Sequence, residues 1–71
     1  MFIDVQVSAT GERELYAAAD IHNMIDVRDE EGGTDTLITF RNGEQVVVNH
    51  RKETIANACQ SAHNIGVVVV A

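Results

Sequence analysis

The 71-residue sequence has no proline and no tryptophan, a single cysteine, and only five lysine or arginine side chains. Because Cys59 is alone, no disulfide can form within the chain, whereas small secreted domains usually carry several. We therefore expect a cytoplasmic protein. The longest apolar stretch, Val67 to Ala71, is far too short to cross a bilayer. Met1 to Asp4 lacks a basic stretch followed by an apolar run, so we expect no targeting segment.

Basic side chains are outnumbered by 11 acidic ones, which leaves a net charge of −6. This charge repels phosphate backbones and anionic lipid, so we expect no nucleic-acid partner and no membrane partner. The aromatic residues Phe2, Tyr16 and Phe40 are too few and too scattered to stack bases. We expect Phe2 and Phe40 to fill the core and Tyr16 to lie at its rim.

The length allows one domain, residues 1–71, since half of it could not sustain a core without disulfides or metal. A chain this short buries only about 60% of the surface that it exposes when unfolded. We therefore expect a homo-oligomer or a partner to supply additional burial.

Alternating apolar residues predict three strands in the first part of the chain. Phe2 to Val7 has the period of a half-buried strand, and Leu15 to Ala17 follows a turn at Gly11 to complete a hairpin. Ala18 to Asn23 is too short for an independent helix and too polar for a strand, so we expect a turn or bend. Met24 to Arg28 alternates again and predicts the third strand.

The strongest local signal is a hairpin in which Asn42-Gly43 joins Leu37 to Arg41 and Glu44 to Val48. The Asn-Gly pair suits the two positive φ angles of a type I′ turn. Such a two-residue loop places Ile38 opposite Val47, and it also pairs Thr39 with Val46 and Leu37 with Val48.

Before this hairpin, Asp29 to Asp35 combines repelling charges with two glycines. This composition predicts a mobile loop. The spacing of the carboxylates does not match the ligand pattern of an EF-hand. A solvated loop and an acidic docking surface are the two interpretations.

A helix is predicted from about His50 to His63, with Asn49 as its N-cap. Asn64 and Gly66 stop it. Its apolar stripe has the spacing i, i+3, i+4, i+7, which faces a sheet. The stripe consists of Ile55, Ala58, Cys59 and Ala62.

The final segment, Val67 to Val70, has no polar alternation. It is either a strand buried on both sides or an edge that pairs with another copy. The complete order, β-β-turn-β-β-β-α-β, predicts an α+β domain. We expect a small antiparallel, partly rolled sheet, SH3-like or a small barrel, with the C-terminal helix packed on it and a final strand.

No pattern predicts a catalytic, cofactor or metal site. None of the glycine turns introduces a helix that could cradle a phosphate. Cys59 and His63 lie at i and i+4 and could hold a metal together, but no second close pair exists. The favoured interpretation is a packed thiol, since Cys59 is also distant from any helix N-terminus that would lower its pKa.

The chain carries, in order, Thr10-Gly11-Glu12, Leu15-Tyr16-Ala17, Asp20-Ile21, Met24-Ile25-Asp26-Val27, Asp35-Thr36-Leu37-Ile38-Thr39, Asn42-Gly43-Glu44 and Val46-Val47-Val48. Over about residues 7 to 56 this layout resembles the small flagellar FlbD family. In that family a helix that begins with acidic residues follows the hairpin, and Glu53-Thr54-Ile55 of this chain falls at that helix. The resemblance implies a small sheet fold. The acidic loop and the all-valine final strand depart from the family, which has a charged helical tail.

Three functions compete. The first is a non-enzymatic bacterial or phage adaptor that binds a protein through a sheet edge or hairpin face. The second is an acidic phage or mobile-element inhibitor whose Asp26 to Asp35 patch imitates phosphates in a basic groove. The third is an enzyme or ligand carrier, which at this length would need a site between chains from Tyr16, His22 and Arg41. The candidate partner-binding residues are Asp29, Glu30, Glu31, Arg51, Lys52, Val67, Val68, Val69 and Val70.

Overall fold

The computed structural model describes every residue from Met1 to Ala71 and has the predicted α+β class and element order. A single 3₁₀ turn, Ala18–Asp20, separates the second strand from the third. The elements are β1 (Phe2–Gln6), β2 (Arg13–Ala17), β3 (Ile21–Arg28), β4 (Thr34–Phe40), β5 (Gln45–Val48), α1 (Lys52–Ile65) and β6 (Val67–Val69).

The strands form two small sheets and no closed barrel. The first sheet has the order β2-β1-β6, and the second has the order β3-β4-β5. One antiparallel bridge between Val7 and Val48 joins them. The prediction of antiparallel pairing is correct for the second sheet and for the β1-β2 hairpin, but it is wrong for β6, which runs parallel to β1. Gly66, with φ of 96°, reverses the chain at the end of α1 and sends β6 in this direction.

The core lies between the inner sides of the two sheets and the helix. Ile3 and Val5 of β1, Ile38 of β4, Val48 of β5 and Ile55 of α1 expose no surface. Alternation explains the strand residues, and the predicted helical stripe is confirmed because Ala58 and Ala62 are also buried and Cys59 is half-buried. The small alanine side chains allow the helix to approach the sheets closely.

The aromatic residues divide differently from the prediction. Phe40 is buried, and Tyr16 stacks on it at the core's rim with ring centroids 4.9 Å apart. Phe2 was predicted in the core, and this is wrong, because 42% of its surface is exposed. Alternate residues of a strand point to the same side, so Phe2 lies on the outer side of β1 together with Asp4 and Gln6.

The β4-β5 hairpin forms, but its predicted register is wrong by one residue. Ile38 lies opposite Val46, not Val47. The Phe40 N–H donates to the Glu44 carbonyl, which makes a three-residue loop in which only Gly43 has a positive φ, 89°. This is a type I turn followed by a left-handed glycine, so Asn42 needs no positive φ.

The acidic segment is shorter than predicted, because β4 begins at Thr34. A carboxylate oxygen of Asp29 accepts hydrogen bonds from the N–H groups of Glu31 (2.9 Å) and Gly33 (2.7 Å). The segment is therefore a closed β3-β4 turn. Ile21, predicted within a bend, instead begins β3 and pairs with Phe40.

The predicted Asn49 N-cap is also wrong. Helix α1 begins at Lys52, Arg51 occupies the N-cap position, and no side chain caps the helix. The Asn49 N–H donates to the Gln6 carbonyl at 2.9 Å, so the backbone of this residue is bonded to β1 and does not begin the helix. The helix continues two residues beyond the predicted end at His63, to Ile65.

Isoleucines on opposite sides of the second sheet allow a test of this core. Ile38 is fully buried, whereas Ile25 exposes 50% of its surface. We expect Ile38→Ala to reduce the free energy of unfolding by about 2–5 kcal/mol, because it leaves a cavity. Ile25→Ala should cost about 1 kcal/mol or less. Urea denaturation would measure both, and equal losses would contradict the assignment of the inner side.

Candidate binding surface

The outer side of the first sheet exposes several large apolar side chains. The register places Leu15 of β2 and Val69 of β6 on either side of Asp4, and Val67 beside Phe2. The exposed fractions are 42% for Phe2, 55% for Leu15, 51% for Val67 and 65% for Val69. We call these four residues the apolar face. Exposed apolar side chains grouped on one side of a sheet make this surface a candidate interaction site.

An arginine lies across this outer side and neutralises its only acidic side chain. Arg13 of β2 donates from Nε to a carboxylate oxygen of Asp4 at 2.9 Å. Its terminal nitrogen donates to the carbonyls of Asp4 and Val70. The side chain thus connects β2 to β1 and to the residue that follows β6.

The free edge of β6 adjoins the apolar face. The Gly66 carbonyl accepts from the Phe2 N–H, and the Val70 N–H donates to the Asp4 carbonyl. Backbone groups alternate along a strand, so those of Val67 and Val69 point away from β1. Since β6 is the last strand in its sheet, these groups form an open edge.

The structure therefore resolves the two interpretations of Val67 to Val70. Burial on both sides is wrong, since only Val70 of these four residues is buried and Val68 is half-buried. The segment is an edge strand, with one side bonded to β1. Its pairing with another copy stays a prediction.

His50 lies beside Gln6 of β1, just beyond the part of β1 that pairs with β6. Its Nε2 accepts a hydrogen bond from the Gln6 N–H at 2.9 Å, and its carbonyl accepts one from the Thr36 hydroxyl at 2.7 Å. Burial lowers the pKa of His50, and the positive charge of Arg13 lowers it further. The Ala71 backbone and Asp35 act in the opposite direction. The neutral ring is the form that can accept the Gln6 bond.

The charged candidates lie in the other sheet and at the helix start. Glu30 and Glu31 are exposed at the β3-β4 turn, whereas the carboxylate of Asp29 closes that turn. Arg51 is exposed, and Lys52 forms a loose ion pair with Asp26 of β3, with 4.0 Å between the charged atoms. Ion pairs this exposed contribute little stability.

A cleft of about 270 Å³ lies at the rim of the core. It brings together Tyr16 and Arg41, two residues of the proposed interchain ligand site, but His22 does not line it. The Arg41 Nε donates to the Ala19 carbonyl at 2.9 Å. Burial, together with a hydrogen bond to Glu14, raises the pKa of Tyr16 to about 12. This phenol stays protonated at neutral pH.

An open, mostly apolar groove runs beside helix α1 and includes Cys59 and His63. The His63 Nδ1 lies 2.9 Å from the Met1 sulfur. Burial raises the pKa of the Cys59 thiol, which is the opposite of what a thiolate nucleophile or metal ligand requires. No group of three or more His, Cys, Asp or Glu side chains is placed to hold a metal ion.

Sequence reasoning missed Phe2, Leu15, Arg13 and His50. The alternation of β1 already placed Phe2 on the side opposite Ile3, so the signal for its exposure was present in the sequence. Nothing in the local sequence marks Arg13 or His50, because their contacts join residues 57 and 44 positions apart.

Comparisons of the chain with protein-family models, with curated proteins and with solved structures give no match. None of the chain's helical structure is long and apolar enough to span a bilayer.

The bond between Gln6 and His50 makes a prediction about pH. Because folding lowers the pKa of His50, the unfolded chain binds more protons near and below its unfolded pKa of about 6.5. The resulting stability is present at neutral pH and is lost as the pH falls, by at most about 1.4 kcal/mol per pH unit.

Urea titrations of the original protein and of His50→Gln, between pH 8 and pH 5, would measure this effect. The glutamine carbonyl can accept the Gln6 N–H but does not titrate, so the variant should lose less stability on acidification. Parallel pH profiles for the two proteins would show that His50 is not responsible.

Proposed function

We propose that the chain is a small, non-enzymatic protein-binding module that contacts its partner through the apolar face. The observation that supports this is the exposure of four large apolar side chains on one side of one sheet. Leaving such side chains in water costs about 25 cal/mol per Å² relative to burial, so covering them favours association.

The charge distribution indicates the chemistry of the partner. The chain has a net charge of −6. On the outer side of the first sheet, however, the only charged side chains are Asp4 and Arg13, which neutralise one another. Glu12 and Glu14 are exposed, but they lie opposite Val7 and Val5 and therefore belong to the other side of the sheet. A partner with an apolar contact patch and a basic surface around it is complementary to a neutral patch on a chain of this net charge.

The first sheet is a better surface than the hairpin face of the second sheet. On the outer side of the second sheet only Ile25 is strongly exposed, while Leu37 and Val47 are half-buried. We therefore favour the outer side of the first sheet, which adjoins the open edge of β6, over the hairpin face.

Two features support the proposals that the chain is not an enzyme and that it works in the cytoplasm. The raised pKa of Cys59 argues against thiolate catalysis, in agreement with a binding function. The lone cysteine favours the cytoplasm. The FlbD resemblance and a bacterial or phage origin stay predictions, based on the order of turns and strands.

Point variants test this surface better than removal of residues 67 to 71 does, because Val70 belongs to the core. We expect the double variant Leu15→Gln, Val69→Gln to reduce capture of the partner at least about tenfold, since each buried apolar side chain contributes about 1.5–3 kcal/mol. The matched control is Ile25→Gln, an exposed apolar residue of the second sheet.

The measurement is a pull-down from nuclease-treated native lysate, quantified by mass spectrometry, with each variant first shown to unfold cooperatively. A stoichiometric protein lost only in the double variant would support the proposal. If Ile25→Gln lost it and the double variant kept it, the binding surface would be the second sheet.

The acidic inhibitor is the second candidate, and the exposure of Glu30 and Glu31 at a closed turn supports it. On this proposal the turn presents carboxylates to a basic groove. Glu30→Gln, Glu31→Gln should then weaken binding and reduce its salt dependence. The control is Glu12→Gln, Glu53→Gln, which removes the same charge elsewhere. Equal effects of both pairs would exclude a specific role for the turn.

A further inference from the structure

The open edge of β6 is short, at three residues, but it has no other protection of the kind that monomeric proteins use. Free edges are usually blocked by lysine, proline, a bulge or a covering element. Val67, Val68 and Val69 carry no charge and no proline, and the one register irregularity in the sheets lies in β3. An uncharged free edge of this type can pair with another strand.

The electrostatics favour a second copy at this edge over contact elsewhere between copies. Two chains of charge −6 repel each other, so they meet at the lowest cost where their surfaces are neutral. β6 is uncharged, the neighbouring Asp4 is paired with Arg13, and the acidic β3-β4 turn belongs to the other sheet.

The unpaired backbone groups of β6 are complementary to themselves. Both the N–H and the C=O of Val67 and of Val69 point to the open edge, while those of Val68 point to β1. An antiparallel copy with its two-fold axis at Val68 sets Val67 opposite Val69 of the second copy, and Val69 opposite Val67. Each such pair exchanges two hydrogen bonds, so four bonds form. Centring the axis on Val67 would place Val69 opposite the helix end, and centring it on Val69 would place Val67 opposite Ala71, which lies outside β6, so only the axis at Val68 pairs β6 with β6 throughout.

We propose that the chain forms a homodimer by pairing β6 with β6 of a second copy, antiparallel and centred on Val68. The two first sheets then join into one six-stranded sheet. Side chains of directly opposed residues share a side, so the apolar faces of the two copies become continuous. The inference goes beyond the proposed function, because it concerns the backbone edge of β6 and a partner of known sequence.

Proline substitution at the two free edges of the first sheet tests the pairing. The N–H of Val69 points to the open edge of β6, and the N–H of Leu15 points to the open edge of β2, since the Val7–Glu12 bond fixes the alternation. Val69→Pro removes one donor in each copy, and therefore two of the four dimer bonds, without removing a bond to β1, and proline is tolerated at such positions. Leu15→Pro is the matched control at the edge that the dimer does not use.

We expect the original protein and Leu15→Pro to be dimers by light scattering over a dilution series, and Val69→Pro to be monomeric. A monomeric original protein at the highest concentration, or a dimer that survives Val69→Pro, would overturn the proposal. Leu15→Gln leaves β6 unchanged, so loss of partner capture in that variant without loss of the dimer separates the two proposals.

Cysteine crosslinking tests the register, with Cys59→Ala in the background. Val68 meets Val68 of the second copy in a non-hydrogen-bonded pair, with Cα atoms about 4.5 Å apart, within the range of a disulfide. Val68→Cys should therefore crosslink under mild oxidation. Identical copies of residue 67 or 69 lie on the diagonal, about 7–8 Å apart, so Val67→Cys alone and Val69→Cys alone should not.

A mixture of Val67→Cys and Val69→Cys chains should form the mixed disulfide, since these residues are directly opposed. Crosslinking by Val67→Cys alone with none by Val68→Cys would overturn the register, and no crosslink in any combination would overturn the pairing.

Discussion

Strand β1 has both of its backbone edges bonded, and the remainder of the structure depends on this. Its odd residues bond to β2, as the contact between Val7 and Glu12 shows, and its even residues bond to β6 and to the segment before the helix. Phe2 and Asp4 are joined to β6, while Gln6 is joined to Asn49 and His50. One five-residue strand thus binds β2, the residues between the second hairpin and the helix, and β6.

This arrangement explains which parts of the fold were predictable from sequence. Side-chain alternation is a local property, so the inward positions of Ile3 and Val5 and the helical stripe at Ile55 follow directly from the pattern. The Asn42-Gly43 hairpin was likewise predictable as a hairpin. Its register was not, because the same two residues serve a two-residue loop or the end of a three-residue loop, and the choice depends on packing of the flanking strands.

Long-range backbone bonding explains what sequence could not provide. Asn49 has the chemistry of an N-cap, but its N–H is bonded to Gln6, 43 positions away, and the helix starts later. Val67 to Val70 has no alternation, so its pattern holds no information about which side chains are inward. Only the pairing with β1 decides that Val70 is buried and Val69 exposed. The apolar face was hidden for the same reason, because it is assembled from three strands that are distant in sequence.

The parallel pairing of β1 with β6 also affects how the fold would respond to a pulling force. These are the first and last strands of the chain, and they lie side by side and run in the same direction. A force that pulls the two termini apart therefore slides one strand along the other and loads their hydrogen bonds together, whereas an antiparallel terminal pair would open one bond at a time. Resistance to such a force is a property of the unfolding rate. Tension applied between β1 and β6 would therefore load this sheet in shear.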